Sequence, residues 1–291
     1  MPAGLLIATN GAEESWPAVE YGAWLASQLR VDVILFGVVE HLPAAAIDEQ
    51  HPLEAFFGRA VAQFQENRVS YRLEVQNGPA ESLIPRRAKD AGLITVLGRL
   101  GRSRLRHMLA GRSIAHLLAA IEGPIVYVPQ ARIPVKRLLI SLGGLGYELT
   151  AEHLAIQVAK RARAEIALLH VIPPMDLDYP TARLVRTGWR HLDDTNTPIG
   201  RSIRKAMAIA QEAGLSARVI ARQGLVVEEI LAEVREGGHD LLCLGSAHSA
   251  SAMRQLYTPD VTSQIAEAID CPILTARFRP EPSPSDAGSE L

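Results

Sequence analysis

LLIATNG at residues 5–11 is answered by LLISLGG at 138–144, an offset of 133 residues, and this recurrence decides the fold. Further matches follow in the same order. NGPAESLIPRRAKDAGLITVLGRLG, from Asn77, parallels QGLVVEEILAEVREGGHDLLCLGSAH, from Gln223, and GPIVYVP, from Gly123, parallels CPILTAR, from Cys271. By the last match the offset has grown to 148, so the second copy carries an insertion, expected in the Pro- and Asp-rich stretch 173–198 where turn residues accumulate. The boundary falls near 130–134, giving expected domains at 1–131 and 135–279. Residues 280–291, PEPSPSDAGSEL, are too polar and too rich in Pro and Ser to bury much apolar area, and read as a disordered tail.

Within each copy, strand-length apolar runs alternate with helical patterns, which implies parallel strands joined by crossover helices. The first copy offers GLLIAT, VDVILFGVV, YRLEV, LITVLG and PIVYVP; the second offers RLLISL, EIALLHVI, SARVIAR, DLLCLG and PILTAR. The fold class is therefore α/β, with two tandem open five-stranded parallel sheets covered by helices on both faces. Between the last two strands of the first copy, Ile114, Leu117, Leu118 and Ile121 follow the spacing of one buried helical face, so that helix is expected to begin near Gly111.

Composition narrows the function classes. Across 291 residues, 30 basic and 32 acidic side chains leave a formal charge of −2, so there is no global positive field to hold nucleic acid or an anionic bilayer. Cys243 and Cys271 both lie in or beside apolar strand runs, which argues against a disulfide framework and for a reducing compartment. The start, MPAGLLIATN, has no basic region ahead of its short apolar run, so a cytoplasmic protein with no membrane partner is expected.

After the fourth strand of the first copy comes Gly98-Arg-Leu-Gly101, then nine residues, then Gly111-Arg112-Ser113 opening a helix. In a parallel α/β sheet, ligands sit beyond the carboxyl ends of strands, where a helix start presents unpaired N–H groups to an anion. Glycines at 98, 101 and 111 would let the backbone close on phosphate without a Cβ in the way. For glycine spacing alone, chain turns at Gly98 and Gly101 and a plain helix start at Gly111 are the better reading.

The spacing does not stand alone. Together with the repeat and the first-strand sequence IATNGAEES, the stretch GRLGRSRLRHMLAGRSIAHLL resembles the universal stress protein family along both copies. The resemblance implies two Rossmann-like, adenine nucleotide α-hydrolase-like domains, each with strand order 3-2-1-4-5, and ATP, accompanied by Mg²⁺, as the ligand. Carried over by position, it places Asn10 and Val38 around base and ribose, Gly98 and Gly101 along the phosphates, and Gly111, Arg112 and Ser113 at the terminal phosphates. It also implies that Ile125–Val128 and Ile273–Arg277 pair within one chain as a pseudo-dimer, since an exposed IVYV edge would invite uncontrolled pairing. A homodimer of the whole chain is compatible with this arrangement.

Two of these positions depart from the family pattern. Asn10 stands where an Asp is usual, keeping an acceptor oxygen but losing a charge that strengthens a hydrogen bond by about 1 kcal/mol. Arg112 stands where a Ser is usual, exchanging a hydroxyl for a guanidinium suited to phosphate oxygens. Arg99, Arg102, Arg104, Arg106, His107 and Arg112 form a basic cluster that fits either a polyphosphate or a solvated loop.

The second copy differs at the equivalent place. Gly245-Ser-Ala-His248 replaces Gly-x-x-Gly, and Thr258-Pro259-Asp260 replaces the glycine-led helix start. Proline removes an N–H donor, and a carboxylate roughly 5 Å from a phosphate charge costs about 3 kcal/mol at an effective dielectric near 20. The second site is therefore expected to hold no ATP. The run Gly143-Gly144-Leu-Gly146 lacks the rest of a dinucleotide fingerprint and reads as a tight turn.

The nine histidines are scattered, with no His-x-x-x-His pair and no Cys/His/Asp cluster at ligand spacing. No Gly-x-Ser-x-Gly elbow, Walker lysine or paired catalytic carboxylate is identifiable, so an enzyme is not expected, with weak ATP hydrolysis left open, and the family resemblance implies a stress-response regulator acting by binding. The alternative is a nucleotide-free tandem interaction or scaffold module.

Overall fold

In the computed structural model, which describes residues 2–40, 52–90, 92–99, 114–143, 149–172, 193–246 and 261–277, the two copies share one ten-stranded sheet. The strands are β1 Gly4–Thr9, β2 Asp32–Val39, β3 Tyr71–Asn77, β4 Leu93–Gly98, β5 Ile125–Val128, β6 Arg137–Ser141, β7 Glu165–Ile172, β8 Ala217–Gln223, β9 Leu241–Ser246 and β10 Ile273–Arg277. Their order is β3-β2-β1-β4-β5-β10-β9-β6-β7-β8, so each half runs 3-2-1-4-5 from its outer edge in to the centre of the sheet. Neighbours are parallel except at the seam, where β5 and β10 run antiparallel with Val126 opposite Leu274.

Burial explains the strand sequences. β1 and β4 are buried at every residue, and such strands read as unbroken apolar runs because helices cover both of their faces. Leu5, Leu6 and Ile7 are each fully buried, and burial of this kind stabilises by about 1.5–3 kcal/mol per side chain. β3 and β8, at the two ends of the sheet, mix half-buried and exposed positions.

The helices divide by face. One apolar layer brings together α1 (Trp16–Leu29), α2 (Pro52–Glu66), α5 (Leu149–Ala162) and α6 (Pro198–Glu212). The opposite layer holds α3 (Ala80–Arg87), α4 (Ile114–Ala120), α7 (Val226–Glu236) and α8 (Val261–Ala268). Across the seam, α1 packs against α5 on one face and α4 against α8 on the other, so one core per face spans both halves. α4 presents Ile114, Leu117 and Leu118 inward as its spacing predicts; its expected start near Gly111 lies outside the described residues, as do the 280–291 tail and most of the 173–198 stretch.

The crossing between halves is pinned by side chains reaching backbone. Arg132 donates to the His239 carbonyl at 2.9 Å, and Asp240 accepts from the amides of Lys136 and Arg137 at 2.8 and 3.0 Å. Among the described residues, no helix is long and apolar enough to cross a membrane.

Candidate functional site

The carboxyl ends of β1, β2 and β4 line a small, open-mouthed cleft. Its walls include Asn10, Val38 and Gly98, three residues singled out from sequence, together with Ser15, Glu40 and Arg99. Gly101, Gly111, Arg112 and Ser113 lie outside the described residues.

A chain of hydroxyls shapes the turn above β1. Ser15 Oγ donates to the Ala12 carbonyl at 2.6 Å, which spends its only proton, so the 2.7 Å contact with Thr9 Oγ1 has Thr9 as donor. Thr9 Oγ1 in turn accepts from the Gly11 amide at 3.0 Å. Asn10 Oδ1 accepts from the Ala12 amide at 3.1 Å, the local bond by which Asn and Asp fold a turn upon themselves. The acceptor expected to be offered to a ligand is thus already engaged on one side, while the exposed residue keeps its amide donors.

Gly98 has a reason for lacking a side chain that sequence could not supply. A Cβ there would stand 2.7 Å from Ser15 Cα, so the end of β4 touches the backbone that leads into α1. Packing as well as any ligand excludes larger residues at this position. Val38, 2% exposed, forms an apolar wall with Ala80 and Ile84 of α3.

Glu40 was not anticipated. It follows β2 directly, lines the cleft, and its Oε1 accepts from the Ala80 amide at 3.2 Å, satisfying a donor at the α3 start. The available signal was a lone acid immediately after the apolar run ILFGVV, at a strand's carboxyl end. Arg99, the one member of the basic cluster within the described residues, donates to Asp270 of the second half at 2.5 Å. That pair is 51% and 64% exposed and so contributes little to stability. It nevertheless ties the strand end beside the cleft to the corner before β10. Tyr127 is buried close by, and burial holds its phenol above the ordinary value.

The corresponding place in the second half is built differently. Leu142 and Gly143 stand where Thr9 and Asn10 do in the repeat, so neither the hydroxyl chain nor the amide side chain is reproduced. Gly37 of β2 is matched by His170 of β7. A Cβ on Gly37 would come within 2.8 Å of Leu53 and Phe57 of α2, whereas the half-buried His170 places Nδ1 2.8 Å from the Leu142 carbonyl. The helix start at 258–260, on which the expected loss of anion binding depends, lies outside the described residues, as does His248. Among the described residues no group of three His, Cys, Asp or Glu side chains is arranged to hold a metal ion.

Comparison with known proteins follows the same division. Residues 4–129 and 134–277 each match the universal stress protein family model. A curated relative, universal stress protein YxiE of Bacillus subtilis (strain 168), is 24% identical over 148 residues, covering 48% of this chain and 98% of its own. Among solved structures, a universal stress protein from Archaeoglobus fulgidus DSM 4304 is 17% identical with a TM-score of 0.65, covering 95% of this chain and 97% of its own. A putative universal stress protein from Pseudomonas aeruginosa UCBPP-PA14 is 10% identical with a TM-score of 0.62, covering 94% and 93%. At these identities the solved structures speak for the fold.

Proposed function

The chain belongs to the universal stress protein family, and from that premise we propose that it is a cytoplasmic regulator that binds an adenine nucleotide, ATP with Mg²⁺, in the domain at 1–131 only, and acts by binding rather than by catalysis. The observation that carries this reading is the meeting of Asn10, Val38 and Gly98 around one cleft at the carboxyl ends of β1, β2 and β4. Strand ends in open α/β sheets are where ligands enter, and the apolar wall at Val38 suits a base while the amide donors of Asn10 suit its ring nitrogens or a ribose oxygen. Gly101, Gly111, Arg112 and Ser113 follow directly in sequence and supply the phosphate end of the proposal. The domain at 135–279 has no Thr-Asn pair at its first strand end and carries Pro259 and Asp260 where the anion would sit.

The second reading, a nucleotide-free tandem module, draws on the Asn10 oxygen and the Arg99 guanidinium both being committed to protein partners. Isothermal titration with ATP and Mg²⁺ separates the two. One nucleotide per chain is expected, Gly111→Asp abolishes it by placing a carboxylate at the helix start, and Pro259→Gly leaves the stoichiometry at one. Two nucleotides per chain, or none, overturns the proposal.

A further inference from the structure

Among the described residues, the ten-stranded sheet has two unpaired edges, β3 and β8, because β5 and β10 cover one another. Free edges are sites of strand pairing unless blunted by charge, bulges or cover. The two edges differ in how they are finished.

On β3, Leu73 and Val75 are 45% and 52% exposed, large apolar side chains on the same face as Tyr71, whose ring packs against Phe64 of α2. The other face carries Arg72, Glu74 and Gln76, with Arg87 and Arg86 of α3 donating to Glu74 and Gln76. The inner ladder fixes which backbone groups are free. The Val33 amide donates to the Ser70 carbonyl and the Gly78 amide to the Val39 carbonyl, so even-numbered residues of β3 turn their backbone groups toward β2. Tyr71, Leu73 and Val75 therefore turn theirs outward, to the side where another strand would add.

We propose that β3 is a self-association surface, through which two copies of this chain pair antiparallel about a two-fold axis at Leu73. In this register Leu73 faces Leu73 of the second copy and Tyr71 faces Val75, all with outward-turned backbone groups able to bond. Arg72 faces Glu74, twice, in the close pairs between those bonds. One face of the new ladder buries the exposed apolar row, and the other sets opposite charges across from one another. Moving the axis one residue, to Glu74, sets two carboxylates in direct opposition, which disfavours that register. β8 has no comparable solution. Its charged residues are Arg218 and Arg222, and pairing about Ile220 sets arginine against arginine.

The test is sedimentation equilibrium of the full chain across a concentration series, with the same chain carrying substitutions on β3. A monomer–dimer equilibrium is expected. Arg72→Glu, which puts acid against acid twice, weakens it by about tenfold, and adding Glu74→Arg to that variant brings association back. Independently, Leu73→Cys forms an interchain disulfide on mild oxidation, because facing residues in this pair have Cα atoms about 5.5 Å apart, whereas Val75→Cys, displaced from its own counterpart, does not. The native Cys243 and Cys271 are buried and do not compete. A strictly monomeric chain, a dimer indifferent to Arg72→Glu, open-ended assembly of the kind a β3-to-β8 contact produces, or cross-linking through position 75 and not 73 each overturns the proposal.

Discussion

The two halves fasten their outer strand to the helix that follows it with the same kind of ionic clasp, but with the charges exchanged. In the first half, Arg87 on α3 reaches Glu74 on β3 with Nε and Nη2 at 2.8 and 3.0 Å. In the second, Arg222 on β8 reaches Glu229, Glu233 and Glu236 on α7 at 2.7, 2.9 and 2.8 Å. Arg87 and Glu233 stand at equivalent positions of the two copies with opposite charge, while their strand partners do not coincide, since Arg222 is matched by Gln76 and Glu74 by Ile220. The cleft residues show the opposite behaviour: Thr9, Asn10 and Ser15 form a bonded set in the first half, and Leu142 and Gly143 leave no such set in the second. What both halves need in order to fold survives in either polarity, whereas polar groups needed by one site alone do not recur.

The comparison breaks most visibly at Arg222. Glu233 is nearly buried and also bonded to His239, so Arg222→Ala strands a carboxylate with little access to water. A loss of about 3 kcal/mol is expected in denaturant unfolding, typical of removing one partner from a buried pair. The reversed pair, Arg222→Glu with Glu233→Arg, tests whether the second half tolerates the polarity of the first.

Gly98→Ala ranks next. Its new Cβ meets backbone, not a flexible side-chain tip, so the β4 end or the turn into α1 must shift, at a cost of about 2 kcal/mol. If the cleft is the nucleotide site, ATP affinity measured by titration falls along with stability. A variant that keeps full stability would show that the turn at Ser15 yields easily, and that the glycine is there for a ligand instead.

How far sequence alone reaches is visible at these same residues. The strand runs, the repeat and the helical face of Ile114, Leu117 and Leu118 were legible because burial on both sides of a parallel sheet writes itself as unbroken apolar sequence. Asn10, Val38 and Gly98 were placed by resemblance, and they do share one cleft. Glu40 was not legible, since an acid after a strand is unremarkable until the Ala80 amide is found beside it. Nor was the Arg99–Asp270 contact, whose partners are 171 residues apart and meet only because β5 and β10 join the halves. Side-chain periodicity reports which face is covered; it carries no record of which distant chain end is brought alongside.

A smaller effect sharpens the contrast between the clasps. In the first half Glu74 is 32% exposed and Arg87 18% exposed, so water can replace part of what is lost. Arg87→Ala is expected to cost about 1 kcal/mol, well below Arg222→Ala in the same denaturant assay. Equal losses from the two variants would mean that the number and burial of the carboxylates do not govern the difference.

The smallest expected effect is one of pH, and it belongs to the second half alone. His239 falls in the one-residue extension that lengthens the repeat offset from 146 at Gln223 to 147 at Leu241, which pairs with Leu138 as Ile94 pairs with Leu5, so the first half has no counterpart. The His239 ring is 1% exposed, and burial pushes its pKa below the ordinary 6.5, with the hydrogen bond to Glu233 opposing that shift only in part. The folded chain therefore binds this proton less readily than the unfolded chain. Stability is complete above pH 6.5 and declines as pH falls from there toward the depressed folded value. Glu74 and Glu236, both held below 4.5 first by their arginine hydrogen bonds, lose their contributions only in more acid solution, so the two windows separate. Unfolding free energies measured between pH 6.5 and about pH 5 should decline for the wild type and flatten in His239→Asn, which keeps a polar side chain but cannot titrate. A slope unchanged by that substitution would move the acid sensitivity to another group, and would make the halves alike in this respect.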